Sequence, residues 1–139
     1  MSHISKIELV VNDLAALKEA CQNLGFEFRE GQRSYAWYGK WVGRFELPEG
    51  LPEIDLGKCD HAIRIPGASY EIGILKKDQN YLLLWDEWDK GGLRAKLGHN
   101  AGILKQAYAL SRVKREARKK NYRFAQKKIP NGIRLVLTA

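Results

Sequence analysis

Cys59-Asp60-His61 sets a thiol, a carboxylate and an imidazole in consecutive positions. Such side chains can ligate a metal or act as nucleophile and base. A metal site needs three or four converging ligands, and a C-x-H triplet supplies at most two. An extended strand would put Cys59 and His61 on one face, but Cys21, His3 or His99 would have to complete the set from elsewhere in the chain. A cysteine nucleophile needs a base and an orienting group. His61, His99 or His3 could be the base, yet nothing in the sequence marks an oxyanion hole or an activating helix N-terminus. Asp86, Glu87 and Asp89, around Trp85 and Trp88, form a second cluster of the kind that binds a divalent cation or supports acid–base chemistry. A polar turn at a strand end accounts for them more simply. Gly91-Gly92 lacks the spacing and the lysine of a phosphate-binding loop. The reading leans away from an enzyme and assigns no catalytic residue, no metal site and no cofactor.

The stronger signal is charge. Among 139 residues, Lys and Arg outnumber Asp and Glu 24 to 16, for a net charge of +8 and an isoelectric point near 9.6. That balance favours a nucleic acid, a phosphorylated ligand or an acidic protein as partner. The positive charge gathers in the C-terminal third. Ala101 to Phe124 reads as the longest helix. At 100° per residue Ile103, Ala107, Leu110 and Ala117 fall on one apolar arc, with Leu104 and Val113 at its edges. Lys105, Tyr108, Arg112, Arg115 and Lys119 occupy much of the remainder, with Arg118 nearer the apolar edge, and the charge continues in Arg123 and Lys127. Two readings stand side by side, a solvated helix face and an anion-binding stripe.

The elements that must position these residues follow from periodicity. His3 to Val11 is expected as a first strand with Ile7, Leu9 and Val11 on one face. Asn12 or Asp13 caps a helix carrying Leu14, Leu17, Cys21 and Leu24, and Gly25 stops it. Phe26 and Phe28 begin a second strand. Gln32 to Phe45 alternates as a strand with Tyr35, Trp37 and Trp41 on one side and Tyr38 on the other. The segment at about 40–58, rich in Pro and Gly, is expected as an irregular insertion. Strands around Ile63, Ile72 and Tyr81–Trp85 come next, then a polar connection, the long helix and a closing hairpin at Pro130-Asn131-Gly132. LKEACQNLGFEF (17–28) aligns with VKREARKKNYRF (113–124), an internal duplication of a helix–strand unit in which only the second copy is strongly basic. The expected fold is a single α+β domain over 1–139, with an antiparallel sheet and two helices on one face. Two cysteines make no disulfide framework. No leader-like segment or membrane-length apolar run is present, which makes the cytoplasm the expected setting.

Several short stretches, in order, resemble one known family. They are Met1-Ser2-His3-Ile4-Ser5, Tyr70-Glu71-Ile72-Gly73, Gln106-Ala107-Tyr108-Ala109 and Gly132-Ile133-Arg134-Leu135. The family is that of the plastid hypothetical reading frame thirty-five, a domain of unknown function found in plastids, cyanobacteria and bacteriophages. The longer segment from Lys40 to Lys58 departs from the plastid pattern, and residues 56–63 look more like the phage members. The resemblance implies a phage-type protein in a host cytoplasm. It implies no catalytic residue.

The functional expectation is a small non-enzymatic binding protein that recognises an anionic partner. Nucleic acid is the first choice, through Lys105, Tyr108, Arg112, Arg115, Arg118, Lys119, Arg123 and Lys127. The alternatives are a protein-interaction module that modulates a host protein, using Tyr38, Trp41 and Trp88, or a binder of a small phosphorylated ligand.

Overall fold

Alternation of apolar and polar residues builds the centre of the molecule. In the computed structural model, which describes residues 4–39, 55–130 and 132–138, three strands form an antiparallel meander: β3 (His61–Arg64), β4 (Glu71–Lys77) and β5 (Asn80–Asp86). Ile63, Ile72, Ile74 and Leu83 point to one side and are fully buried. Two further strands complete an antiparallel sheet in the order β1-β5-β4-β3-β2, with β1 (Ile4–Lys6) and β2 (Glu27–Glu30) as its opposite edges. The chain travels between those edges through helix α1 (Leu14–Leu24), which crosses the sheet. The first strand is shorter than expected. After Lys6 the Ile7 N–H still reaches the Leu83 carbonyl at 2.9 Å, and an isolated bridge, Val11 to Tyr81, returns the chain to the sheet.

Asp13 caps α1. Its carboxylate accepts the N–H of Ala16 at 3.0 Å, satisfying one of the donors that a helix start leaves without a partner. Leu17, Ala20 and Cys21 turn to the sheet and are fully buried. The polar connection after β5 is more ordered than its composition suggests. It forms α2 (Leu93–Leu97), whose Leu93 and Leu97 drop into the same core. Helix α3 (Gly102–Lys119) then packs on α1. Both long helices lie on one face of the sheet, in an α+β fold.

The opposite face has its own core. Ile4, Tyr35, Leu56, Cys59, Ala62 and Leu84 are buried there, with Trp37 packed against them. The segment expected as a strand from Gln32 is irregular as far as it is described, making one isolated bridge from Ser34 to Lys58. Tyr35 and Trp37 cover the far side of the sheet, away from the two long helices. The ring of Tyr35 occupies the space where any side chain at position 73 would sit, which fixes glycine there. Trp41 and most of the expected insertion lie outside the described residues.

The duplicated unit is present at the level of the helix stop. Gly25 and Asn121 both adopt the left-handed conformation, at φ 76° and 58°. After α1, Phe26 N–H reaches the Cys21 carbonyl at 2.8 Å and Gly25 N–H that of Gln22 at 3.2 Å. After α3, Tyr122 N–H reaches Ala117 at 2.8 Å and Asn121 N–H reaches Arg118 at 3.2 Å. This is one capping motif made twice, bond for bond. The strands it launches diverge. β2 joins the five-stranded sheet, whereas among the described residues β6 (Arg123–Ile129) pairs only with β7 (Gly132–Thr138), as a separate two-stranded ribbon. The expectation that both units share one sheet is thereby corrected.

Candidate nucleic-acid interface

The burial pattern of α3 differs from the expected arc. Leu104, Tyr108, Ser111 and Ala117 are buried, while Ile103 and Val113 are 44% and 42% exposed. Tyr108, expected among the basic residues, is therefore not a surface contact. Its ring is only 3% exposed, and its hydroxyl accepts the backbone N–H groups of Asn12 and Asp13, each at 3.2 Å. A tyrosine joins an apolar body to a polar tip. Here the tip meets donors at the start of α1, which draws that face of α3 inward.

Two of the expected cations are tied to acids on or beside α1. Arg115 Nε lies 3.4 Å from Asp13 Oδ2, and Arg118 Nη1 lies 2.9 Å from Glu19 Oε1. They hold α3 against α1. Lys105 is half-buried, and Arg112 and Lys119 are exposed. Arg112, Arg115 and Lys119 line a cleft of about 680 Å³, between α3, the start of α1 and the β4–β5 turn. Lys76 adds a fourth cation that the sequence reading missed, because it comes from a distant strand end. Asp13 and Asp78 lie in the same wall and offset part of this charge.

Arg123 and Lys127 sit elsewhere. Gln126 and Ile133 of the ribbon line a depression of about 290 Å³ together with Gln106, Leu110 and Lys114 of α3, about half a turn around the helix from the cleft. The ribbon therefore packs on the opposite side of α3. Its register decides which side chains point away. Arg123 lies opposite Thr138, Ala125 opposite Val136, and Lys127 opposite Arg134. These alternate positions share one face, and all six residues are exposed. Arg134 completes this basic face. The sequence could have shown it, because the two-residue connection between Ile129 and Gly132 places Lys127 across from it.

The charge on that face has no counterweight in the neighbouring sequence. From Ala117 to Ala139 the sequence contains no Asp or Glu. Among the described residues, neither Arg123, Lys127 nor Arg134 makes an ion pair. Like charges directly across a strand pair are destabilising, and Lys127 and Arg134 are such a pair.

The other candidate groups are held in structural roles. Cys59 and His61 do not share a face, because the bend at Asp60 precedes the strand. Cys59 packs in the far-side core and donates its S–H to the Gln32 carbonyl at 3.2 Å. His61 stands between Phe28 and Tyr81 on the helix side, and its Nδ1 accepts Gly31 N–H at 2.9 Å. Burial pushes the Cys59 thiol up to about 11 and Cys21 up to about 12, away from the thiolate a nucleophile needs. Asp60 staples the loop by accepting Lys76 N–H at 2.8 Å and the Arg33 guanidinium at 3.0 Å. Asp86 is fully buried and accepts the N–H groups of Tyr38 and Trp88. No group of three or more metal-ligating side chains gathers among the described residues. Tyr38, 44% exposed, stands edge-on to Trp88 at 5.0 Å, so these two residues of the alternative surface do meet.

No protein-family model, curated protein or solved structure matches the chain. Among the described residues no helix is long and apolar enough to cross a membrane.

Proposed function

We propose that this protein binds nucleic acid without catalysing a reaction, and that the outer face of the β6–β7 ribbon is its main contact. The observation that carries this reading is the stacking of Arg123, Lys127 and Arg134 on one exposed face, in a stretch without a single acid. A like-charged cross-strand pair costs stability in the isolated chain, and a polyanion removes that cost on binding. The cleft beside α3 is the weaker candidate, since Asp13 and Asp78 offset its cations. Phosphate contacts of this kind are sequence-tolerant and release counterions. The phage-type affiliation suggested by the sequence is compatible with this role and supplies none of its support.

Fluorescence anisotropy with labelled DNA and RNA, across a range of salt concentrations, tests the reading. Binding should weaken steeply with salt, and Lys127→Gln with Arg134→Gln should reduce the logarithmic salt slope by about 2, near 0.9 per lost phosphate contact on duplex DNA. Absence of binding at low salt overturns it. Indifference to that double change, with loss of partner capture on altering Trp88, would favour the alternative protein-docking surface at Tyr38 and Trp88.

A further inference from the structure

The shape and chemistry of the ribbon narrow the partner beyond nucleic acid in general. Its outward face contains Arg123, Ala125, Lys127, Arg134, Val136 and Thr138. None of these is aromatic. Single strands are held largely by bases stacking on aromatic rings, and this face offers no ring to stack on. What it offers is a short pair of seven-residue strands, about 4.8 Å apart. The major groove of B-form DNA is about 12 Å wide and admits a two-stranded β-ribbon. The major groove of A-form RNA is deep and too narrow for side chains to read.

The order of residues along the face fits such a docking. The central pair, Ala125 and Val136, is apolar, and Val136 is 50% exposed. It is flanked by Arg123 on one side and by Lys127 with Arg134 on the other. A small apolar centre between long cations suits a groove whose floor carries thymine methyl groups and whose walls carry phosphates. On the other face of the ribbon Gln126 and Ile133 line a depression shared with α3, so the body of the protein remains outside the groove.

We infer that the β6–β7 ribbon enters the major groove of B-form duplex DNA. Ala125 and Val136 then meet thymine methyls, and Arg123, Lys127 and Arg134 reach the phosphates on either side. This rests on the nucleic-acid reading above and sharpens it. It also gives the exposed valine a ligand, where charge alone would leave it unexplained.

Anisotropy titrations at one salt concentration separate the two claims. The full chain is titrated with a short AT-containing DNA duplex, the RNA duplex of the same sequence, the single DNA strand, and the DNA duplex with uracil in place of thymine. The inference expects the DNA duplex to bind at least about tenfold tighter than the RNA duplex or the single strand, reflecting groove width and methyl contacts. It expects the uracil duplex to bind several-fold more weakly than its thymine counterpart. Val136→Ala, at an exposed site, should keep the fold by circular dichroism and shrink the thymine–uracil difference. Equal affinity for duplex DNA and duplex RNA, or a preference for the single strand, overturns groove docking and leaves nucleic-acid binding standing. No binding to any nucleic acid overturns both, as does binding only to acidic phospholipid vesicles.

Discussion

The molecule makes the same helix stop twice and puts the two results to different use. After α1 the stop turns the chain into β2, an edge of the central sheet, with Phe28 packed on the main core. After α3 it turns the chain into β6, which among the described residues finds only β7 as a neighbour strand. The first unit is nearly neutral, and its one cation on the helix, Lys18, meets Glu30 at 3.3 Å. The second ties Arg118 to Glu19 and from there runs on with cations and no acids. A capping motif is a local device that satisfies carbonyls at a helix end. It does not decide what the next strand pairs with. That decision lies in side chains further along, and in the second unit those side chains suit an external anion better than a core.

Several measurements can break or sharpen this contrast. The largest effect belongs to the core of the first unit. Leu17→Ala removes a fully buried side chain and should cost about 2–5 kcal/mol in urea unfolding. Val136→Ala on the ribbon should stay within about 0.5 kcal/mol. A comparable loss at both positions would mean that the ribbon is part of the cooperative core. Next comes the joint between the units. Tyr108→Phe leaves the N–H groups of Asn12 and Asp13 without their acceptor and should cost about 1–3 kcal/mol by the same assay. A neutral result would return Tyr108 to the surface role first expected of it.

The two caps give the smallest and most discriminating comparison. Gly25→Ala forces a side chain into a left-handed conformation and should lower global stability by about 1–2 kcal/mol. Asn121→Ala should speed amide exchange in β6 and β7 while shifting global unfolding by less than about 0.5 kcal/mol, because the ribbon opens on its own. If both changes shift global unfolding equally, the ribbon is not an independent unit.

Much of the fold was legible in the sequence because its pattern is local. The β3–β5 meander follows from alternating isoleucines and leucines, Asp13 and Gly25 bracket α1, and the closing hairpin follows from its turn. The misreadings arose where partners come from far away. Tyr108 is placed by donors at the start of α1, which no helical periodicity contains. The aromatics after Gln32 alternate like a strand, yet Tyr35 is claimed by the bare backbone of Gly73 on the opposite face of the sheet. Cys59 and His61 separate because Asp60 bends to accept Arg33 and the backbone of Lys76. The basic stripe was visible as composition, but its division needed coordinates. Arg112 and Lys119 line a cleft, Arg115 and Arg118 brace α1, and Arg123 and Lys127 join Arg134 on the ribbon.

The most direct test of the central claim is hydrogen exchange of the full chain with and without a saturating DNA duplex. The account predicts slowed exchange concentrated in residues 123–138, with little change at the β4–β5 turn or around Tyr38 and Trp88. Slowing at the cleft residues Lys76 and Tyr81 or beside Trp88, with the ribbon unchanged, would contradict it.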